Sequence, residues 1–220
     1  MQREIITTGD GSKTIHIKEW DEQYHSKHGA IQEAYHVFIR HGLDLFQNAS
    51  LSILEIGFGT GLNAFITLLE TQKKALSVSY CGVEAYPVSW IEAQQLNYVT
   101  QLNALERAQD FERLHSSPWE EKVVIDPFFS LVKRKMDFKD ISDQEVCDLI
   151  YFDAFGARVQ PELWTVPIFK KMYDALKGEG YLVTYAAKGS VRRAMLEVGF
   201  TVERLPGPPG KREMLRARKP

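Results

Sequence analysis

Cysteine is scarce. Cys81 and Cys147 are the only two in 220 residues, too few for a disulfide framework or a four-thiolate zinc site. Long apolar runs are missing too. No stretch approaches the roughly 20 residues a membrane helix needs, and Met1-Gln2-Arg3-Glu4 does not open an apolar signal core. The expectation is a cytoplasmic protein with no membrane partner. The six histidines, His36 and His41 among them, form no ligand pattern with cysteine or carboxylate, so no metal is expected. Cys81 reads as a small buried hydrophobe, and Cys147 has no activating neighbour in sequence. What is present is 44% hydrophobic and 25% charged, which excludes a disordered chain, a collagen and a coiled coil. The length suits one α/β domain with a small extension.

Net charge is only −2, but it is unevenly spread. From Lys188 onward nine basic residues face three glutamates, so this segment is +6 and the rest −8. Such asymmetry suits a polyanion-binding face or a solvated basic edge.

Glu4–Thr8 and Thr14–Ile17 alternate around Asp10-Gly11, which predicts a hairpin. A polar, aromatic stretch through Tyr24 leads to a helix from Ala30 to about Gly42, where the glycine is a stop signal. From Leu51 the pattern changes to apolar strands alternating with helices. Strands are predicted at Leu51–Ile56, Val78–Val83, Phe129–Val132, Asp148–Phe152 and Tyr181–Tyr185. Helices are predicted from Leu62 to about Gln72, over much of Val88–Leu114, around Pro167–Leu176 and from about Ser190 to Val198. Phe200–Arg204 and Glu213–Ala217 follow, joined by a Pro/Gly linker able to turn the last strand back antiparallel. These repeats predict an α/β doubly wound, mainly parallel sheet, with ligands at the carboxyl ends of its strands. Residues 1–50 read as an extension packed on a core of 51–220.

The densest local signal is Glu55-Ile56-Gly57-Phe58-Gly59-Thr60-Gly61. Glycines at the first βα turn let backbone approach a ligand at a helix N-terminus. A dinucleotide loop requires G-x-G-x-x-G, yet Leu62 occupies its third glycine position. Alternating glycines preceded by a carboxylate favour a ligand without a pyrophosphate, such as S-adenosylmethionine. Glu84, ending the second strand, suits ribose hydroxyls of either cofactor class. Asp137 stands where it could reach an adenine amino group or simply face solvent. Asp153 closes the fourth strand, at the crevice edge or as a turn cap.

These motifs resemble the methyltransferase domain of the MnmC family of bifunctional tRNA-modification enzymes. The residues carrying the likeness are Glu55 through Asn63, Val83-Glu84-Ala85-Tyr86-Pro87, Asp153-Ala154-Phe155, Pro161-Glu162-Leu163-Trp164, Val191-Arg192-Arg193, Gly199-Phe200 and Lys211-Arg212-Glu213-Met214-Leu215. The likeness runs from about Tyr24 to Leu215. It implies a Rossmann-like methyltransferase that methylates the aminomethyl group of a tRNA wobble (2-thio)uridine, without the flavin-dependent oxidoreductase part and hence without FAD. By motif match, Glu55, Gly57, Phe58, Gly59, Gly61, Asn63, Glu84 and Asp137 would serve the cofactor, and Asp153 would stand beside the acceptor amine. Family members often have Asp-Gly-Phe followed by Ala-Pro, where this chain has Asp153-Ala154-Phe155-Gly156-Ala157. Tyr24, Phe155 and Trp164 are candidates to hold an unstacked base. Lys188, Arg192, Arg193, Lys211 and Arg212 are candidates for RNA phosphates. Two other readings stay open: a methyltransferase of the same fold acting on a small molecule or protein, and a non-catalytic RNA-binding partner. Oligomeric state is not legible.

Overall fold

The computed structural model describes residues 2–220. In chain order the strands are β1 (Arg3–Thr7), β2 (Lys13–Ile17), β3 (Glu22–Gln23), β4 (Ser50–Ile56), β5 (Ser77–Val83), β6 (Lys122–Asp126), β7 (Phe129–Arg134), β8 (Cys147–Phe152), β9 (Leu176–Thr184), β10 (Thr201–Pro206) and β11 (Glu213–Arg218). The α-helices are α1 (Ala30–Ala34), α2 (Leu62–Lys73), α3 (Trp90–Ala93), α4 (Tyr98–Gln101), α5 (Ala108–Ser116), α6 (Val166–Ala175) and α7 (Gly189–Glu197). A π-helical turn over Tyr35–Arg40 extends α1, so the predicted helix from Ala30 is present with its last part widened.

Eight strands form the main sheet in the order β10-β11-β9-β8-β4-β5-β7-β6. The four central pairings, from β9 through β7, are parallel. β11 runs antiparallel to both β9 and β10, and β6 antiparallel to β7. Both faces are covered, which is why β4 and β8 read as continuous apolar runs. Ile53, Leu149 and Tyr151 pack on one side with Phe65 of α2 and Phe111 of α5. Leu54, Ile150 and Phe152 pack on the other with Phe169 of α6 and Met195 of α7.

Three expectations need correction. The long helix predicted within Val88–Leu114 is broken into α3, α4, a 3-10 turn and α5. A capping box of Ser89 and Glu92 starts α3, and Asn103 adopts a left-handed φ of 51° after α4, which interrupts the helical path. Strand β6 was not anticipated: its apolar run, Val123-Val124-Ile125, is only three residues long between charged flanks, and it lies at the sheet edge with Val124 exposed. The strand predicted at Tyr181–Tyr185 begins earlier, at Leu176, and takes in Lys177–Gly180, where the register against β8 shifts between Cys147 and Leu149.

The N-terminal segment folds as a separate three-stranded sheet, β1-β2-β3. It is tied to the main domain by Arg3, which donates to the Tyr86 and Pro87 carbonyls and to Glu92. Arg158 ties it from the other side, donating to the Trp20 and Asp21 carbonyls and to Glu22. These ties set the extension over the carboxyl ends of the parallel strands.

Candidate active site

Parallel register brings three strand ends level. Ile56 of β4 is paired with Val83 of β5 and Phe152 of β8, so the next residues, Gly57, Glu84 and Asp153, emerge together. Backbone bonds fix the arrangement: Gly57 N–H donates to the Val83 carbonyl at 3.0 Å and Asp153 N–H to the Ile56 carbonyl at 2.9 Å. Above them opens a cavity of about 670 Å³, within the range of small-molecule sites. Its walls come from the strand ends, the loop Asp153–Gly156 and the extension residues Trp20 and Glu22–His28.

The glycine loop needs its glycines. Gly57, Gly59 and Gly61 all have positive φ. A Cβ on Gly57 would lie 2.7 Å from the Asp153 carbonyl oxygen, and one on Gly59 would press on the Tyr24 ring at 3.0 Å. The Gly59 N–H donates to Glu84 Oε2 at 3.0 Å and the Tyr86 N–H to Glu84 Oε1 at 2.9 Å. Glu84 thus braces the loop and lines the cavity; burial raises its pKa. Each carboxylate oxygen retains a further lone pair for a ligand hydroxyl.

Beneath the loop, Asn63 Nδ2 donates to both Glu55 Oε1, at 3.0 Å, and Asp153 Oδ2, at 2.8 Å. Glu55 is fully buried, and burial pushes its carboxyl well above the usual range. Glu55 Oε2 and Asn63 Oδ1 are buried without a hydrogen-bond partner. A positive-φ glycine loop with the Glu84 carboxylate facing the cavity at the next strand end fits adenosylmethionine, which carries amino, carboxylate and ribose hydroxyl groups. Asp153 is raised to about 7, first by burial and then by the nearby Glu33 carboxylate, against the opposing Asn63 bond and Lys211 charge.

The predicted site residues separate by position. Gly57, Gly59, Glu84, Asp137, Asp153, Tyr24 and Phe155 all line the cavity. Tyr24 and Phe155 meet edge to face at 4.9 Å, and Trp20 packs on Phe155 at 5.4 Å. Asp137 caps a 3-10 turn through the Lys139 N–H and pairs with the Lys139 ammonium at 3.2 Å. Glu55, Gly61 and Asn63 stand behind the lining, and the Phe58 ring turns away onto His115 and Trp119. Trp164 differs from expectation. It is buried in the core against Phe152 and Phe169, its indole N–H held by the Phe155 carbonyl at 2.8 Å, so it supports the Phe155 loop from below and has no face free for a base.

The basic candidates divide as well. Lys188 and Arg212 line a second groove of about 450 Å³ beside the cavity. Arg193 is exposed on α7, and half-buried Arg192 has an Nε without a partner. Lys211 is not a free surface cation: its ammonium pairs with buried Glu33 at 2.6 Å and sits 3.8 Å from the Tyr185 ring centroid. Sequence reasoning missed Glu33, which looks like any helix-face glutamate, and Tyr185, whose hydroxyl donates to the Ala154 carbonyl at 2.8 Å. Both are brought to the site only by tertiary packing. Among the described residues, no group of three or more His, Cys, Asp or Glu is arranged to hold a metal, and no helix is long and apolar enough to cross a membrane.

The model of the S-adenosyl-L-methionine-dependent methyltransferase family matches residues 91–220. The bifunctional tRNA 5-methylaminomethyl-2-thiouridine biosynthesis protein MnmC of Ralstonia nicotianae is 30% identical over 209 residues, covering 89% of this chain and 31% of that protein. The Campylobacter fetus protein of the same name is 26% identical over 226 residues, covering 97% of this chain and 35% of its own length. The chain therefore spans about a third of the length of the curated relatives it matches. The crystal structure of MnmC2 from Aquifex aeolicus superposes with a TM-score of 0.71 at 27% identity, covering 98% of this chain and 70% of that one. Spermidine synthase from Thermotoga maritima, at 13% identity and a TM-score of 0.53, shares the fold alone. With the glycine loop, the strand-end acids and the matched half of the sequence in agreement, the chain belongs to the S-adenosyl-L-methionine-dependent methyltransferases.

Proposed function

We propose that the protein methylates the 5-aminomethyl group on the wobble (2-thio)uridine of tRNA, giving the 5-methylaminomethyl nucleoside. The observation that carries this reading is Asp153, raised to about 7 inside a cavity walled by Tyr24 and Phe155, in a chain similar along nearly its whole length to the methyltransferase MnmC2. The reading uses adenosylmethionine, requires no FAD and puts the protein in the cytoplasm with its tRNA.

Adenosylmethionine, when bound, supplies an electrophilic methyl group on a sulfonium. The residues that would hold it are the Gly57–Gly61 backbone, Glu84, Asp137 and the Glu55–Asn63 pair. The chain's own part is orientation and proton handling. Tyr24 and Phe155, packed edge to face, offer an aromatic wall of the cavity on which an unstacked pyrimidine can rest. An alkylammonium has no lone pair, so it must lose a proton before it can attack. An ordinary aspartate is too weak a base for that step; one raised to about 7 is far better matched. Asn63 orients Asp153 through Oδ2, leaving Oδ1 for the amine. Once that proton has passed from Asp153 to solvent, the ionised carboxylate stabilises the positive charge that develops on nitrogen. Lys188 and Arg212, with Arg193, offer contacts to phosphates around the nucleotide.

Nucleoside mass spectrometry of tRNA from a strain deleted for this gene tests the reading. The expected result is loss of the 5-methylaminomethyl nucleoside and accumulation of its 5-aminomethyl precursor. Unchanged wobble nucleosides refute it.

A further inference from the structure

Methyl transfer leaves one feature of the cavity unused, the Glu33–Lys211 pair. Glu33 lies on α1 of the extension, and Lys211 in the β10–β11 connection 178 residues away. Glu33 is 6% exposed. Its Oε1 accepts the Ser26 N–H at 2.9 Å and its Oε2 takes the Lys211 ammonium at 2.6 Å. Both residues line the main cavity. Lys211 and Tyr185 also line the second groove, which holds Lys188 and Arg212. Lys211 therefore stands in the partition between the two.

Charge makes this placement informative. Six carboxylates line the main cavity (Glu22, Glu33, Glu84, Asp137, Asp153 and Glu162) against three lysines, Lys27, Lys139 and Lys211. Glu22 is paired outside the cavity by Arg158. One sulfonium offsets one more negative charge, and an excess remains. A low-dielectric site with excess negative charge favours a cation and opposes an anion. The Lys211 backbone is held by its N–H bond to the Pro208 carbonyl at 2.9 Å, while the side chain is a third exposed. Moving its ammonium needs only side-chain rotation, a fast motion.

We propose that Lys211 is a displaceable internal ammonium: a cationic acceptor takes its place on Glu33, Lys211 swings into the neighbouring groove, and Glu33 becomes a second recognition carboxylate beside Asp153. This rests on the aminomethyl-tRNA reading. Exchanging one ammonium for another conserves the charge-assisted bond to Glu33. A neutral group cannot make that exchange, and in a carboxymethylaminomethyl group the ammonium brings a carboxylate that the carboxylate-rich lining opposes, so the pair selects a simple ammonium. In the groove Lys211 would approach Lys188 and Arg212, three cations against the single carboxylate of Glu213, an arrangement that like-charge repulsion opposes unless a further anion is present. An RNA phosphate supplies that anion, so docking of the strand favours opening of the acceptor site.

The test uses nucleosides, which lack phosphates, as inhibitors of the full-length protein with adenosylmethionine present. The probes are 5-aminomethyluridine and neutral 5-hydroxymethyluridine, measured on wild type, Glu33→Gln and Lys211→Met. The expected result is opposite responses. Glu33→Gln weakens 5-aminomethyluridine at least tenfold, Lys211→Met tightens it at least threefold, and 5-hydroxymethyluridine changes less than twofold in both. If the pair were only a clasp, both variants would lose the same contact and respond in the same direction; that outcome overturns the proposal. Adenosylmethionine affinity within twofold of wild type certifies that each variant is folded. Should a variant fail that check, the wild type alone decides. Binding 5-aminomethyluridine at least tenfold more tightly than both 5-hydroxymethyluridine and 5-carboxymethylaminomethyluridine supports the proposal, and equal binding overturns it. Failure of the tRNA reading is distinct: wild type then methylates no wobble aminomethyl group, whatever the two variants do.

Discussion

Replacing Asp153 by Asn should make the protein more stable and less active at once, with a stability gain that depends on pH. In the folded chain this carboxyl is raised from 3.8 to about 7. For an acid raised by folding, the native state binds more protons than the unfolded state between those two values. Stability is therefore lost as pH rises from about 4 to about 7 and then levels off. A shift of about three units corresponds to roughly 4 kcal/mol at most. The cavity leaves Asp153 half-buried, so water screens part of that penalty, and about 2 kcal/mol is a sounder figure. Asn keeps the shape, and its side-chain oxygen can still accept from Asn63, whose present bond is 2.8 Å. For a domain of this size, 2 kcal/mol raises Tm by about 4–8 °C. Thermal unfolding followed by circular dichroism should show variant and wild type together near pH 4, separating progressively up to pH 7 with the variant higher. Turnover should fall about tenfold or more through lost charge stabilisation at the amine. A Tm difference constant from pH 5 to pH 8, or a variant less stable at pH 8, refutes the reasoning about burial.

Glu84→Ala should weaken adenosylmethionine binding by about 1–3 kcal/mol in calorimetry, because it removes a buried acceptor and the brace of the Gly59 N–H; unchanged affinity removes Glu84 from the site. Gly57→Ala should lower stability by about 1–3 kcal/mol in urea titration, since φ is +91° and the new Cβ would meet the Asp153 carbonyl. Neutralising Lys188 and Arg212 together should weaken tRNA binding and reduce the slope of log K against log salt by about 0.9 per lost phosphate contact, with adenosylmethionine affinity untouched. Lys133 is buried beside Trp119, and burial lowers its pKa to about 8. A base lowered by folding costs stability below that value and regains it as pH rises toward 10.5, so Lys133→Met should stabilise the fold at pH 7 by about 1 kcal/mol after loss of its bond to the His115 carbonyl, raising Tm by about 2–4 °C, and the gain should fade by pH 10.

The parallel core was legible because buried central strands leave unbroken apolar runs and the glycine loop punctuates the first crossover. The strand-end acids Glu84 and Asp153 were legible for the same reason: an acid directly after such a run must sit at the crevice. Edge strand β6 was not, because its apolar run, Val123-Val124-Ile125, is only three residues long between charged flanks. Trp164 was misassigned from residue type alone, since an aromatic near a site can serve the core equally well, and residue type alone did not show that Lys211 is held in an internal ion pair. The Glu33–Lys211 contact joins residues 178 positions apart, and no local pattern announces it. The reach of the extension over the cavity was likewise invisible, being set by Arg3 and Arg158, whose partners lie far away in sequence.

The central claim is methyl transfer to the wobble aminomethyl nitrogen. Its most direct measurement incubates the purified protein with adenosylmethionine and tRNA bearing 5-aminomethyl-2-thiouridine, then digests the tRNA for nucleoside mass spectrometry. The account predicts conversion of that nucleoside to a species one methyl group heavier, with the methyl on the side-chain nitrogen, and no conversion of tRNA bearing the 5-carboxymethylaminomethyl form. A protein that binds adenosylmethionine yet leaves the aminomethyl nucleoside unchanged, or places the methyl group on another atom, contradicts it.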